Sequence, residues 1–116
     1  MKGYVYLLFK VDKSGEESYK IGISKNDPNL RVSQLQTGNE ATINLLKHYQ
    51  TVNYLKLEKM LHVRFVIHKT TSKGEWFNLP AEDVIKFVET CKEVDSIIDF
   101  LKEHNLFFNT KLMYNM

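Results

Sequence analysis

One carboxylate in this 116-residue chain sits where a carboxylate needs a reason. Over residues 53–67, Leu57, Leu61 and Phe65 fall on one arc of a helix turning by about 100° per residue, with Lys56, Lys59 and Arg64 outside it. Glu58 lies on the edge of that arc beside Phe65, with Leu55 on its other flank, and burying it unpaired is costly. His62 follows one turn later on the same side. Two readings are open: a rim carboxylate paired with Lys or His, or a hard oxygen ligand suited to magnesium. A second signal lies among the sixteen Lys and Arg, of which only Arg31 and Arg64 are arginine. A function that requires a guanidinium therefore falls to one of these two.

Other residue types exclude more than they propose. His48 and His68 read as surface histidines, and with Cys91 they lack zinc-like spacing. Trp76 and Phe77 read as core. No GxxxxGK[ST], GxGxxG or GxSxG occurs, which removes common nucleotide-binding and hydrolase signatures. A single cysteine rules out a disulfide framework within the chain. The apolar run Tyr4–Phe9 is too short for a secretory core, and no stretch approaches the ~20 residues of a membrane helix. The expectation is a soluble, intracellular protein. Composition is that of one globular domain, at 43% hydrophobic and 26% charged. Charge is uneven: residues 1–79 hold twelve Lys or Arg against seven Asp or Glu, and residues 80–116 hold four against seven. A basic front and an acidic back suggest an anionic partner for the front.

These side chains need elements to hold them. GYVYLLFKV at 3–11 and SYKIGIS at 18–24 read as an antiparallel hairpin around a polar turn with Gly15. Alternation places Val5, Leu7 and Phe9 with Tyr19, Ile21 and Ile23 on a core face. Tyr4, Tyr6 and Leu8, beside Lys20, Gly22 and Ser24, then form an exposed polar platform. Asp27 and Pro28 open a helix over about 28–36 that stops at Gly38. Residues 41–51 read as a third strand, 53–67 as a helix and 74–79 as a short strand. Pro80 opens a helical region through Lys102 with a break near Glu93–Ser96, and the tail from His104 reads as irregular. The fold class is α+β: a small single domain with a three-stranded antiparallel sheet, hairpin plus third strand, flanked by helices. Residues 1–79 form its core, and residues 80–116 a C-terminal helical extension packed on the same domain.

Taken in order, these motifs form a pattern. A hairpin carrying GYVYLL and YKIGIS, an arginine seven residues later and a helix with one carboxylate resemble the GIY-YIG nuclease superfamily. The likeness is greatest to its phage and large-virus branch, in which the second motif reads KIG. LEKMLH at 57–62 and GEWFNL at 74–79 agree, so the resemblance covers residues 3–79. It implies that Tyr6 is the general base, Lys20, Ile21 and Gly22 the second motif, Arg31 the helix arginine and Glu58 the metal-binding carboxylate. The chain departs from the family at Lys20, which replaces a tyrosine, and at Leu35, which stands where many relatives carry histidine. His62 on the neighbouring helix is expected to supply a related function, and Asn78 is the nearest match to a late asparagine.

The implied reaction is hydrolysis of a phosphodiester bond in DNA, double-stranded by expectation, with Mg²⁺ or Mn²⁺. Tyr6 would accept a proton from the attacking water. A free tyrosine ionises near ~10, and the Lys20 charge would favour the phenolate. Arg31 would stabilise the phosphate, the Glu58-bound metal the leaving oxygen, and Gly22 would allow close approach. Tyr4, Lys20, Lys25, Arg31 and Arg64 are the expected nucleic-acid contacts. The acidic C-terminal region is left to close the fold, pair two copies or meet a protein partner. The competing reading is a nucleic-acid-binding module on a nuclease-like fold with feeble or lost catalysis.

Overall fold

The computed structural model describes residues 1–38, 41–70 and 76–104. The hairpin forms as expected from strand β1 (Gly3–Val11) and strand β2 (Glu17–Ser24). Its turn is organised by Asp12, whose Oδ1 accepts from the Ser14 hydroxyl at 2.6 Å, the Ser14 amide at 2.9 Å and the Glu16 amide at 3.0 Å. The Ser14 hydroxyl, then the Glu16 amide, holds that carboxyl below the usual carboxylate range.

Helix α1 (Pro28–Gln36) starts where the Asp27 side chain accepts the Asn29 amide at 2.9 Å and proline occupies the first turn. It ends before Gly38, whose φ of 79° is a left-handed conformation that glycine adopts without strain. Strand β3 (Ile43–Thr51) pairs antiparallel with β1, and the register shifts between Leu7 and Leu8. Leu7 faces Lys47 but Leu8 faces Leu45. The bulge lets both His48, opposite Tyr6, and Leu45, opposite Leu8, lie on the face that α1 covers.

Helix α2 (Tyr54–Arg64) is shorter than expected, its last part giving way to a 3-10 turn at Val66–His68. Strand β4 (Trp76–Phe77) pairs with Tyr19–Lys20, so the sheet has four strands in the order β3-β1-β2-β4 rather than three. Two residues are enough for membership because Phe77 is fully buried and anchors the pair. The expected strand residues 74 and 75, and the tail after His104, lie outside the described residues.

After Pro80 the chain forms helix α3 (Ala81–Ile85) and helix α4 (Phe87–His104). The break falls at Lys86 instead of 93–96, where the helix continues because Val94 and Asp95 are buried. No helix among the described residues is long and apolar enough to cross a membrane.

The sheet is covered on both faces. On one face Val5, Leu7, Ile21 and Phe77 meet Leu57 and Leu61 of α2, Phe65 at its C-terminal cap, and Phe87, Cys91, Val94 and Ile98 of α4. Burying such a side chain contributes about 1.5–3 kcal/mol. Phe9 and Tyr19, expected in that core, are only half-buried and tilt together with ring centroids 5.2 Å apart. The opposite face holds a smaller cluster in which Tyr6, Leu8 and Ile43 pack against Val32, Leu35 and Leu45. The expected exposed platform is therefore wrong at its centre: Tyr6 is 1% exposed and Leu8 fully buried. Alternation found the right set of residues for that face, but α1 lies over it.

Candidate active site

Tyr6 is set by the central strand. Its cross-strand partners are Gly22 on β2 and His48 on β3. A Cβ on Gly22 would stand 2.5 Å from the Tyr6 hydroxyl oxygen and 2.6 Å from the carbon that bears it. The tyrosine ring thus lies across β2, in space that only glycine leaves open. Lys20, the next residue of β2 on the same face, is half-buried.

Glu58 and His62 approach β2 from the other face. Glu58 Oε2 is 3.7 Å from His62 Nε2, and the two side chains are 17% and 23% exposed, so this is a sheltered pair. His62 Nε2 also lies 2.9 Å from the Ile21 carbonyl oxygen. A carbonyl only accepts, so this nitrogen donates and carries the proton. The His62 ring meets Phe77 edge-on with centroids 5.1 Å apart. The reason for this anchoring is local. Pairing with β4 ends at Lys20, and the next residue along that edge has its carbonyl satisfied by a side chain instead of a strand.

The site therefore straddles the edge of β2, with Tyr6 over Gly22 on one face and the Glu58–His62 pair at Ile21 on the other. The chain then leaves β2 through a tight link, in which the Ser24 hydroxyl donates to the Asn26 carbonyl at 2.8 Å. Lys25 is exposed in this link. Arg31 is exposed on α1 and donates from Nη1 to Gln34 Oε1 at 3.3 Å. Tyr4, half-buried, accepts from Gln50 Nε2 at 3.4 Å and packs edge-on with His48, centroids 5.8 Å apart.

Two expected residues go elsewhere. Arg64, in the last turn of α2, lies 3.8 Å from Glu93 of α4. Asn78, exposed just after β4, donates its backbone N–H to the His68 carbonyl at 2.7 Å. Leu35 fills the small core under α1.

A metal at this site would rest on Glu58. Among the described residues no group of three or more His, Cys, Asp or Glu side chains gathers. One carboxylate suits magnesium, which keeps several waters and takes further oxygens from substrate phosphates. It does not suit zinc, which wants four protein or solvent ligands with nitrogen and sulfur among them. His62 Nε2 is committed to a carbonyl, so it does not complete a nitrogen-rich set around Glu58.

The frame behind α2 carries a network that sequence reasoning missed. Asp95 Oδ1 accepts from the Thr51 hydroxyl at 3.0 Å and from Asn53 Nδ2 at 2.7 Å, and its Oδ2 accepts from the Tyr49 hydroxyl at 2.8 Å. Asn53 Nδ2 also donates to Asp99 at 2.8 Å, and Lys102 donates to Asn53 Oδ1. Asn53 is the N-cap residue of α2. The helix that carries Glu58 is therefore tied at its start to α4. Burial, then the bond to Asp95, pushes the Tyr49 hydroxyl well above its ordinary pKa. Burial, then the charge of Asp95, pushes the Cys91 thiol up to about 12. The available signal was the spacing of Asp95, Asp99 and Lys102, which shares one helix stripe.

The model of the T5orf172 domain matches residues 3–92, from β1 into α4. The chain belongs to the T5orf172 domain family. This domain occurs in phage and nuclease-like proteins and is related in fold to the GIY-YIG nucleases. Every residue of the candidate site lies inside the T5orf172 match, whereas Asp95, Asp99 and Lys102 lie beyond it. No curated protein and no solved structure matches the chain.

Proposed function

We propose that this T5orf172 domain is a metal-dependent endonuclease that hydrolyses phosphodiester bonds in DNA. The observation that carries this reading is the meeting of two half-sites within one residue along β2: Tyr6 over Gly22, and Glu58 with His62 at Ile21. In this reading Tyr6 accepts the proton of the attacking water, and Lys20 on the same face favours its ionised form. Arg31 neutralises charge developing on the phosphate. Glu58 would hold one divalent cation, Mg²⁺ or Mn²⁺, with His62 beside it. When bound, that cation supplies Lewis-acid stabilisation of the leaving oxygen. One such site breaks one strand, so double-strand cleavage requires two copies or two successive events.

The burial of Tyr6 favours a second reading, a nucleic-acid-binding module without efficient cleavage, because a general base must reach its water. A supercoiled-plasmid assay with Mg²⁺ or Mn²⁺ separates the two. Nicked or linear product from the parent, absent with EDTA and with Glu58→Gln, is the expected result. An intact plasmid with a folded parent and both metals would hand the case to the binding module.

A further inference from the structure

Lys10 and Lys20 converge on one indole. Lys10 Nζ lies 4.1 Å from the centroid of the Trp76 ring, and Lys20 Nζ lies 6.0 Å from it. The sheet explains the convergence. Trp76 is the direct β4 partner of Lys20, while Lys10, opposite Ser18, lies on the same face by alternation. All three residues are half-buried. The face of an indole attracts a cation, and the lysine stems pack against apolar surface, so both ammonium groups are held in place.

We propose that Lys10 and Lys20, seated on Trp76, form a seat for the phosphodiester backbone of the bound strand, flanking the cut. The inference rests on the endonuclease reading and adds to it a second contact on the β4 side of Tyr6. Lys10 follows Tyr6 by four residues on the same strand face, which is about 13 Å of strand. Duplex DNA advances about 3.4 Å per nucleotide of each strand along its axis while the backbone winds around that axis, so the seat meets a phosphate about two nucleotides from the bond that Tyr6 faces. Phosphate contacts of this kind set register and carry no sequence information. Trp76, already occupied by cations, supports the lysines instead of stacking on a base.

The test uses the full chain and a fluorescent DNA duplex, with anisotropy read across a salt series in EDTA. Lys10→Ala is expected to weaken binding and to lower the slope of log affinity against log salt by about one. Trp76→Leu, which keeps the charges and removes the aromatic face, is expected to weaken binding too, and Lys10→Ala keeps the test independent of whether that variant folds. Lys92→Ala, exposed on α4, serves as the control and is expected to change neither. A neutral methylphosphonate placed about two nucleotides from the cleaved bond is expected to reproduce the Lys10→Ala loss in the parent and add nothing to it in the variant. Parent-like affinity and slope for Lys10→Ala, with duplex binding otherwise intact, would overturn the seat and leave the endonuclease reading standing. A parent that binds no duplex at any salt concentration would overturn both.

Discussion

The two faces of the sheet are built to different standards. Behind α2 and α4, thirteen buried residues form one cluster, backed by a buried aspartate whose carboxylate accepts three hydrogen bonds. Under α1 only Tyr6, Leu8 and Ile43 are buried, and one of those three is the candidate general base. The thick side holds the domain together, and the thin side carries half of the candidate site. Elements that must admit a substrate come from the low-stability end of a structure, and α1 fits that description.

If this division holds, substitutions on the two faces separate stability from activity. Phe87→Ala on the thick face is expected to cost about 4 kcal/mol in urea unfolding. Asp95→Ala should come next, at about 3 kcal/mol, because it leaves the buried groups of Tyr49, Thr51 and Asn53 without their acceptor. A loss below half a kcal/mol in either variant would break the comparison. Glu58→Gln and Arg31→Ala are each expected to lower plasmid cleavage about 10²-fold, equivalent to about 2.7 kcal/mol, with the melting temperature little changed. Should either variant cut at the parental rate, the site assignment fails. Leu35→Ala, in the small half-buried cluster, should cost only about 1–2 kcal/mol by calorimetry.

A last expectation concerns alkaline stability. Cys91 and Tyr49 keep their protons in the folded protein to higher pH than the unfolded chain does. The unfolded state therefore binds fewer protons once pH passes the ordinary thiol value of 9.0. Stability that is complete below that point is lost as pH rises from there toward about 12. Urea midpoints across this range should fall more steeply for the parent than for a Cys91→Ala, Tyr49→Phe double variant. Parallel curves would show that neither group is shielded as described.

What the sequence made legible was local. Asp27–Pro28 and Gly38 bound α1 because a cap, a proline and a left-handed glycine each act within one turn. The hairpin register follows from alternation, and with it the placement of Tyr6, Lys20 and Gly22 on one face. Whether that face was open was not legible, because a short helix with two apolar contacts, Val32 and Leu35, is enough to close it. The break expected at Glu93–Ser96 does not form. Asp95 is instead buried, satisfied by partners 42 to 46 residues earlier in the chain. Likewise Glu58 and His62 were paired from spacing alone, but the Ile21 carbonyl that fixes His62 depends on where β4 stops.

That Asp95 network also sets an order of assembly. When only the first 79 residues have left a ribosome, Tyr6, Arg31 and Glu58 are all present, but the Tyr49, Thr51 and Asn53 side chains have no Asp95 to meet. Contacts this distant in sequence form late, because a long loop must close before they reward it. The nascent chain thus carries its candidate catalytic residues for some time before the strand and helix behind them lock. The bracing of that frame arrives with α4, at the end of folding, and not with the motifs themselves.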